Sequence, residues 1–171
     1  MRMPPALRKL MLAVHVGTSV GWLGAVAAYI ALNVPIVTGA DDQVVRAAYL
    51  MLDPVLRFAV LPLAVACLVT GVIQSLGTPW GLFRHYWVLL SLVITGFATT
   101  ILVLHAPDVY AMADQASSGA DVSTMGGDLF HSVGGLLVLL LPLVLNIYKP
   151  RGLTGYGWRK QQEERVKAQQ S

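Results

Sequence analysis

The feature that most constrains this chain is a set of four apolar stretches, which lie at residues 10–32, 55–76, 86–106 and 129–148. Each is close to the roughly 20 residues that an α-helix needs to cross a hydrocarbon core of about 30 Å. A segment in lipid must satisfy its own backbone hydrogen bonds, so we expect these stretches to be helices. The 171 residues are 56% hydrophobic and 12% charged, a composition outside the soluble range. We therefore predict an all-α polytopic membrane protein, a four-transmembrane-helix bundle.

The distribution of charge predicts how this bundle is oriented. Ten of the twelve lysines and arginines precede the first helix, lie in the second loop or follow the fourth helix: Arg2, Arg8, Lys9, Arg84, Lys149, Arg151, Arg159, Lys160, Arg165 and Lys167. All the aspartates instead fall in or beside the first and third loops. Because short loops rich in lysine and arginine stay inside, we expect a multi-pass membrane protein with both termini cytoplasmic. Residues 1–150 would form the transmembrane domain and residues 151–171 a basic cytoplasmic tail.

The net charge of +3 comes from the basic residues that set this orientation. Basic residues next to helix ends contact anionic headgroups, so the predicted partner is the lipid bilayer and no nucleic acid is expected.

A local signal marks the start of the second helix, since Asp53 and Pro54 are typical of an N-cap and a first turn. Arg57 can pair with Asp53 one turn further on. Residues 107–127 are predicted to be a long loop that contains a short surface helix.

The first apolar stretch carries an ionisable side chain, His15. At 100° per residue, Ser19, Trp22 and Tyr29 fall on the same stripe as His15. An ionisable group at membrane depth almost always faces the interior of a bundle. We therefore expect His15 to point inward.

The opposite face of the first helix is made of small residues, which are Gly17, Gly21, Gly24 and Ala28. A seam of this kind lets another helix approach closely. It predicts docking on a second copy, as a homo-oligomer, or on a larger membrane complex.

Two roles for His15 follow from its chemistry. It can hydrogen-bond a neighbour such as Ser19 and specify packing alone, with no cofactor bound. Alternatively, neutral imidazole is a common ligand for haem iron and metals, and an apolar four-helix interior suits a flat cofactor. The depths of the histidines pair His15 with His85. We therefore predict a single b-type haem site at His15, with Ser19 and Trp22 beside it and His85 or another group as the second ligand.

A second set of ligand-type side chains is predicted near the acidic loops. Asp128 and His131 are three apart and so lie on one side of the fourth helix, while His105 ends the third helix at the same level. Met112 and Met125 lie in the adjoining loop. Histidine, carboxylate and methionine together are ligands that suit copper, which makes this a candidate metal site that we weigh below the haem site.

The segment HVGTSVGWLG places a tryptophan seven residues after His15 and a glycine two residues later. This pattern resembles small bacterial membrane proteins related to the CopD-like copper-resistance proteins and to the membrane-embedded protoporphyrinogen oxidase that binds b-type haem. The chain bears a closer resemblance to an uncharacterised family of four-helix bacterial membrane proteins, through LVTGVIQSLGTPWGLFRHYWVLLSL and YKPRGLTGYG as well, which implies a location in the bacterial cytoplasmic (inner) membrane. The resemblance implies that His15 is the haem-ligand position and Trp22 its companion.

The chain departs from the oxidase pattern in the third helix. Those relatives carry a lysine in a W-x-x-x-K-L context, where the segment WVLLSL has Ser91. The missing ammonium argues against oxidase activity, and the apolar stretches contain no carboxylate for acid/base catalysis. We assign no catalytic residue. The two hypotheses are a haem- or metal-binding membrane protein and a cofactor-free structural or assembly subunit of a membrane complex.

Overall fold

Helices make up most of the protein in a computed structural model, which describes residues 3–170. In chain order they are α1 (Pro5–Val37), α2 (Asp42–Val55), α3 (Leu61–Leu76), α4 (Tyr86–Ser117), α5 (Leu129–Tyr148) and α6 (Gly155–Gln169). A π-helical turn, Leu56–Val60, joins α2 to α3, and a short 3-10 turn, Val122–Thr124, precedes α5. Arg2, one of the charges used to predict the orientation, lies outside the described residues.

Four continuous helical segments are long and apolar enough to cross a membrane, namely Pro5–Val37, Asp42–Leu76, Tyr86–Ser117 and Leu129–Tyr148. Over residues 3–170 there is no β-strand, only an isolated bridge between His85 and Leu153. The prediction of an all-α chain with four membrane-length helices is confirmed. The fourth predicted membrane helix, α5, has the predicted bounds.

The first and third of the predicted membrane helices, which are α1 and α4, are longer than predicted. The first runs over Pro5–Val37 rather than 10–32, and the third over Tyr86–Ser117 rather than 86–106. An apolar stretch marks the residues that suit hydrocarbon, whereas a helix continues as long as its residues pack. Beyond its apolar part, the third helix buries Val109, Ala113 and Ala116. The predicted loop is therefore wrong over residues 107–117.

The predicted start of the second helix is also wrong. The helix begins at Asp42, where the Asp41 carboxylate accepts a 2.9 Å hydrogen bond from a backbone N–H of the first turn. Asp53 and Pro54 lie inside it, just before the π-helical turn. Packing explains the extension, because α2 buries one face composed of Val45, Ala48, Tyr49 and Leu52. The predicted pair of Arg57 with Asp53 is present at 3.0 Å.

The bundle has two chemically different ends. We call the end with residues 38–41 and 118–128 the acidic end, and the end with residues 77–85 and 149–170 the basic end. The helices α1 and α4 each contact α3 and α5 as well as α2. Much of the buried apolar core lies towards the acidic end, where it includes Tyr29, Val45, Tyr49, Leu52, Val109, Ala116 and Val122. Packing towards the basic end is looser and leaves a cavity.

The segment after α5 folds against the basic end. The Thr154 hydroxyl caps α6 by accepting a hydrogen bond from Gly157 N–H (3.0 Å), and Thr154 N–H donates to the Arg84 carbonyl (3.0 Å). The Arg84 guanidinium donates hydrogen bonds of 3.1 and 3.0 Å to the two carboxylate oxygens of Glu164. The helix α6 is thus held on the loop between α3 and α4.

Candidate functional site

His15 lies on α1 and faces α3. Its Nδ1 is 3.0 Å from the Thr70 hydroxyl oxygen. Gly71 allows this approach, since a Cβ atom at that position would lie 3.1 Å from His15 Cε1. The expected inward orientation is therefore what the structure has, and the neighbour that the ring meets is a threonine of another helix.

The hydrogen bonds of Thr70 indicate which nitrogen of His15 carries the proton. The Thr70 hydroxyl donates its single proton to backbone carbonyls one turn earlier in α3, at 2.7 Å for Ala66. This arrangement favours acceptance of a hydrogen bond from His15, which assigns the proton of a neutral imidazole to Nδ1. The lone pair is left on Nε2. Histidines that bind metals are commonly oriented in this way, by a hydrogen bond to the ring nitrogen that does not ligate.

A cavity of about 410 Å³ lies beside His15, between α1, α3, α4 and α5. This volume falls within the range of roughly 300–1,000 Å³ typical of small-molecule sites. Its walls are mostly apolar, with polar groups contributed by Ser19, Trp22, Gln74, Ser91, Asn146 and Lys149. Four helices and the loop between α3 and α4 thus contribute to one pocket.

Two polar atoms of residues that line the cavity have no hydrogen-bond partner among the described residues. They are the indole Nε1 of Trp22, a residue that is only 3% exposed, and Oε1 of Gln74. A buried indole N–H usually finds a partner, and an unpaired one costs free energy. Ser19 is satisfied, because its hydroxyl donates to the His15 carbonyl at 2.7 Å. Both atoms are themselves buried, so they add unpaired polar groups to the surroundings of the cavity rather than to its open surface.

His85 is not on the wall of this cavity. Its Nδ1 is 2.7 Å from the Trp80 carbonyl, and its ring packs edge-on against the Trp80 ring. Trp80 and Trp87 line the cavity in its place. Matching the two histidines by depth alone overlooked the direction in which each ring points.

The basic end of the cavity carries a positive charge. Ser91, where the resemblance had suggested a missing lysine, is buried on the wall, and Asn146 Nδ2 lies 3.4 Å from its hydroxyl oxygen. Lys149 lines the same cavity and holds its ammonium 5.3 Å from the centre of the Trp80 ring. A cationic side chain at this end of the cavity thus comes from the residue that follows α5. Sequence reasoning missed it, because Lys149 had been counted only as a charge that sets orientation.

A second cluster of ligand-type side chains lies at the acidic end. His105 Nε2 is 2.7 Å and His131 Nδ1 is 3.3 Å from the same oxygen, Oδ1 of Asp128. One potential ligand atom from each of the three residues falls within 4.8 Å of the others. The two imidazole rings are stacked, with centroids 4.1 Å apart. The structure therefore brings together the three residues that were predicted to share a site.

The buried member of this cluster, Asp128, is held by α1. Its other carboxylate oxygen accepts a 2.8 Å hydrogen bond from the Tyr29 hydroxyl, and its backbone N–H donates to Asn33 Oδ1 at 2.9 Å. Asn33 is completely buried, and Asp128 is 4% exposed. Sequence reasoning placed Tyr29 on the stripe of His15 but missed this contact and Asn33. A lone amide near the end of an apolar helix was the available signal.

The methionines do not add to the cluster as the sequence suggested. Met112 and Met125 pack against the buried apolar core. A further carboxylate does contact it, since Asp108 Oδ2 lies 3.2 Å from His105 Nδ1. The copper-type set of histidine, carboxylate and methionine is thus replaced by histidines and carboxylates.

The small-residue seam of α1 is only partly used within the chain. A Cβ at Gly21 would lie 3.4 Å from Leu63, whereas nothing lies within 4 Å of one at Gly17 or Gly24. The open part of the seam faces the outside of the bundle, where lipid or another helix would meet it.

Comparisons with protein-family models, with curated proteins and with solved structures found no match to this chain. The resemblance carried by His15 and Trp22 therefore stays a prediction, and function has to be inferred from geometry.

Proposed function

We propose that this integral membrane protein binds one b-type haem in the cavity between α1, α3, α4 and α5, with His15 as an axial ligand. The observation that carries the proposal is the hydrogen bond from His15 Nδ1 to Thr70, because it leaves the Nε2 lone pair free on a residue that lines a cavity of about 410 Å³. Neutral imidazole with its second nitrogen hydrogen-bonded is the usual form of a haem ligand.

The other lining groups suit an amphipathic porphyrin. Apolar side chains would cover its faces, and the Lys149 ammonium at the basic end would pair with a propionate. His15 is the only histidine among the lining residues, so we expect a single histidine ligand. Bound haem would supply one-electron or gas-binding chemistry.

The test is a haem titration of the purified full-length protein in detergent. We expect a Soret band that saturates near one haem per chain and that is lost in His15→Ala. The matched control is His85→Ala, which removes a histidine away from the cavity and should leave the band unchanged. Equal titrations of the wild type and His15→Ala would contradict the proposal.

The proposal includes the cellular location and orientation of the chain. An even number of crossings places both termini on one side. The basic end carries Arg84 and the charges after α5, so we assign it to the cytoplasm and the acidic end to the outer face of a bacterial inner membrane.

A cofactor-free subunit is the second candidate, and the open seam at Gly17 and Gly24 favours it. Small residues on an exposed helix face let a second helix pack closely in lipid. This function predicts a colourless protein whose oligomer, measured by light scattering, dissociates in Gly17→Leu. Val93→Leu, at a position on α4 that is 59% exposed, is the control that should leave the oligomer intact.

A further inference from the structure

The cluster at the acidic end is independent of the haem proposal, and its geometry points to a site for a divalent transition-metal ion. We propose that His105 Nε2, His131 Nδ1 and Asp128 Oδ1 bind one ion of the Zn²⁺ or Cu²⁺ type. These atoms come from α4, from α5 and from the residue before α5, so the fold rather than local sequence assembles them.

The distances between the ligand atoms already approach those of a metal centre. A tetrahedral ion with bonds of about 2.0–2.1 Å holds neighbouring ligand atoms roughly 3.3 Å apart. His131 Nδ1 and Asp128 Oδ1 are 3.3 Å apart, and His105 Nε2 and Asp128 Oδ1 are 2.7 Å apart. The second distance has to lengthen by about 0.6 Å, and the two histidine nitrogens, which lie within 4.8 Å of each other, have to reach the same spacing. An ion would then take the place of the hydrogen-bonded proton.

The charges around the cluster favour a dication. Two carboxylates, Asp128 and Asp108, contact the histidines, and Asp128 is 4% exposed. Over residues 3–170, the ion pairs of Asp128 are with His105 and His131 and include no lysine or arginine. With neutral imidazoles the four side chains carry two negative charges. A divalent ion balances them, and a buried carboxylate requires such a partner.

Surrounding residues orient the ligands. Asp108 lies 3.2 Å from His105 Nδ1, which leaves Nε2 as the ligating nitrogen of a carboxylate–histidine–metal arrangement. The Tyr29 hydroxyl occupies Oδ2 of Asp128 at 2.8 Å, so Oδ1 is the oxygen left for the ion. This second layer of hydrogen bonds is what distinguishes a built metal site from a chance cluster.

The site is open to an entering ion, and its three protein ligands leave one coordination position unfilled. The His131 side chain is 56% exposed, so an ion can enter from the acidic end. Three protein ligands leave a fourth tetrahedral position for water or for an external ligand, as in catalytic rather than structural zinc sites. Two imidazoles favour Zn²⁺ or Cu²⁺ over Mg²⁺ and Ca²⁺, which prefer oxygen ligands.

The experiment is a titration of the purified full-length protein with Zn²⁺ by calorimetry and with Co²⁺ by its visible absorption. We expect one ion per chain and a tetrahedral Co²⁺ spectrum. His131→Ala changes an exposed side chain and should weaken binding at least about tenfold, and Tyr29→Phe about 10- to 100-fold through the orientation of Asp128.

The matched control is His85→Ala, which removes a histidine at the basic end and should bind Zn²⁺ as the wild type does. Circular dichroism would confirm that each variant keeps its helices. If the wild type binds no better than a His105→Ala/His131→Ala double variant, the cluster is a hydrogen-bonded network without metal affinity and the proposal is overturned. The haem titration has a separate readout, so the two proposals can fail independently.

Discussion

At the scale of single residues, loss of the hydrogen bond between Tyr29 and Asp128 should lower the stability of the fold. Tyr29→Phe removes the hydroxyl from a carboxylate that is 4% exposed. We expect the free energy of unfolding in detergent to fall by about 1.5–3 kcal/mol, the typical cost for a hydrogen bond to a charged group. Tyr86→Phe, at a position that is 60% exposed, is the control. Equal stabilities of the two variants would show that Asp128 does not depend on Tyr29.

Thr70 offers a second residue-scale prediction. Thr70→Val keeps the shape of the side chain but removes the acceptor of the His15 Nδ1 proton. We expect haem affinity to fall about 10- to 100-fold, as when partners that orient metal-binding histidines are lost. The control is Thr99→Val, because the buried Thr99 hydroxyl donates only within its own helix, to the Thr95 carbonyl. If both variants bind haem with the wild-type affinity, Thr70 does not orient His15.

The candidate sites were predictable from the sequence where helix period and depth decide the neighbours. The inward direction of His15 and the grouping of His105 with Asp128 and His131 were predicted in this way. Contacts between distant segments were not, since Tyr29 and Asp128 are 99 residues apart in the chain. The pairing of His15 with Thr70 depends likewise on how α1 and α3 face each other. Neither helix alone contains that information.

At the scale of helices, the docking of α6 depends on a glycine. A Cβ at Gly157 would lie 2.2 Å from the backbone carbonyl oxygen of Arg84, whereas nothing lies within 4 Å of one at Gly155. Overpacking of this kind costs typically about 1–3 kcal/mol, which is roughly a 5- to 150-fold rise in the open population. We expect faster hydrogen exchange in α6 of Gly157→Ala and not of Gly155→Ala. Unchanged exchange in both variants would mean that α6 can shift without undocking.

Helix ends were less predictable than helix positions, for a physical reason. An apolar stretch reports which residues suit lipid, whereas a helix ends where capping and packing end. The acidic-end extension from Asp42 carries an apolar face at i, i+3, i+4 and i+7, formed by Val45, Ala48, Tyr49 and Leu52. That period was visible in the sequence. The pair Asp53 and Pro54 predicts a start because aspartate is a favoured N-cap and proline suits a first turn, yet both residues lie inside α2.

At the scale of the whole molecule, one helix contributes to both candidate sites. His15 and Tyr29 lie on α1, about 21 Å apart along its axis at 1.5 Å per residue. The cavity with His15 lies towards the basic end, and the cluster with Asp128 lies at the acidic end. The two sites would therefore meet different compartments. Which compartment each one meets depends on the orientation of the bundle.

That orientation is testable with single cysteines. Cys67 is the one native cysteine and is buried, so a Cys67→Ala background has no native thiol that could react. In it, Ser117→Cys places an exposed thiol at the acidic end and Gln169→Cys one at the basic end. Because basic loops stay in the cytoplasm, a membrane-impermeant maleimide should label only Ser117→Cys in intact spheroplasts and both variants after lysis. Labelling of Gln169→Cys alone before lysis would invert the bundle and place the histidine cluster in the cytoplasm.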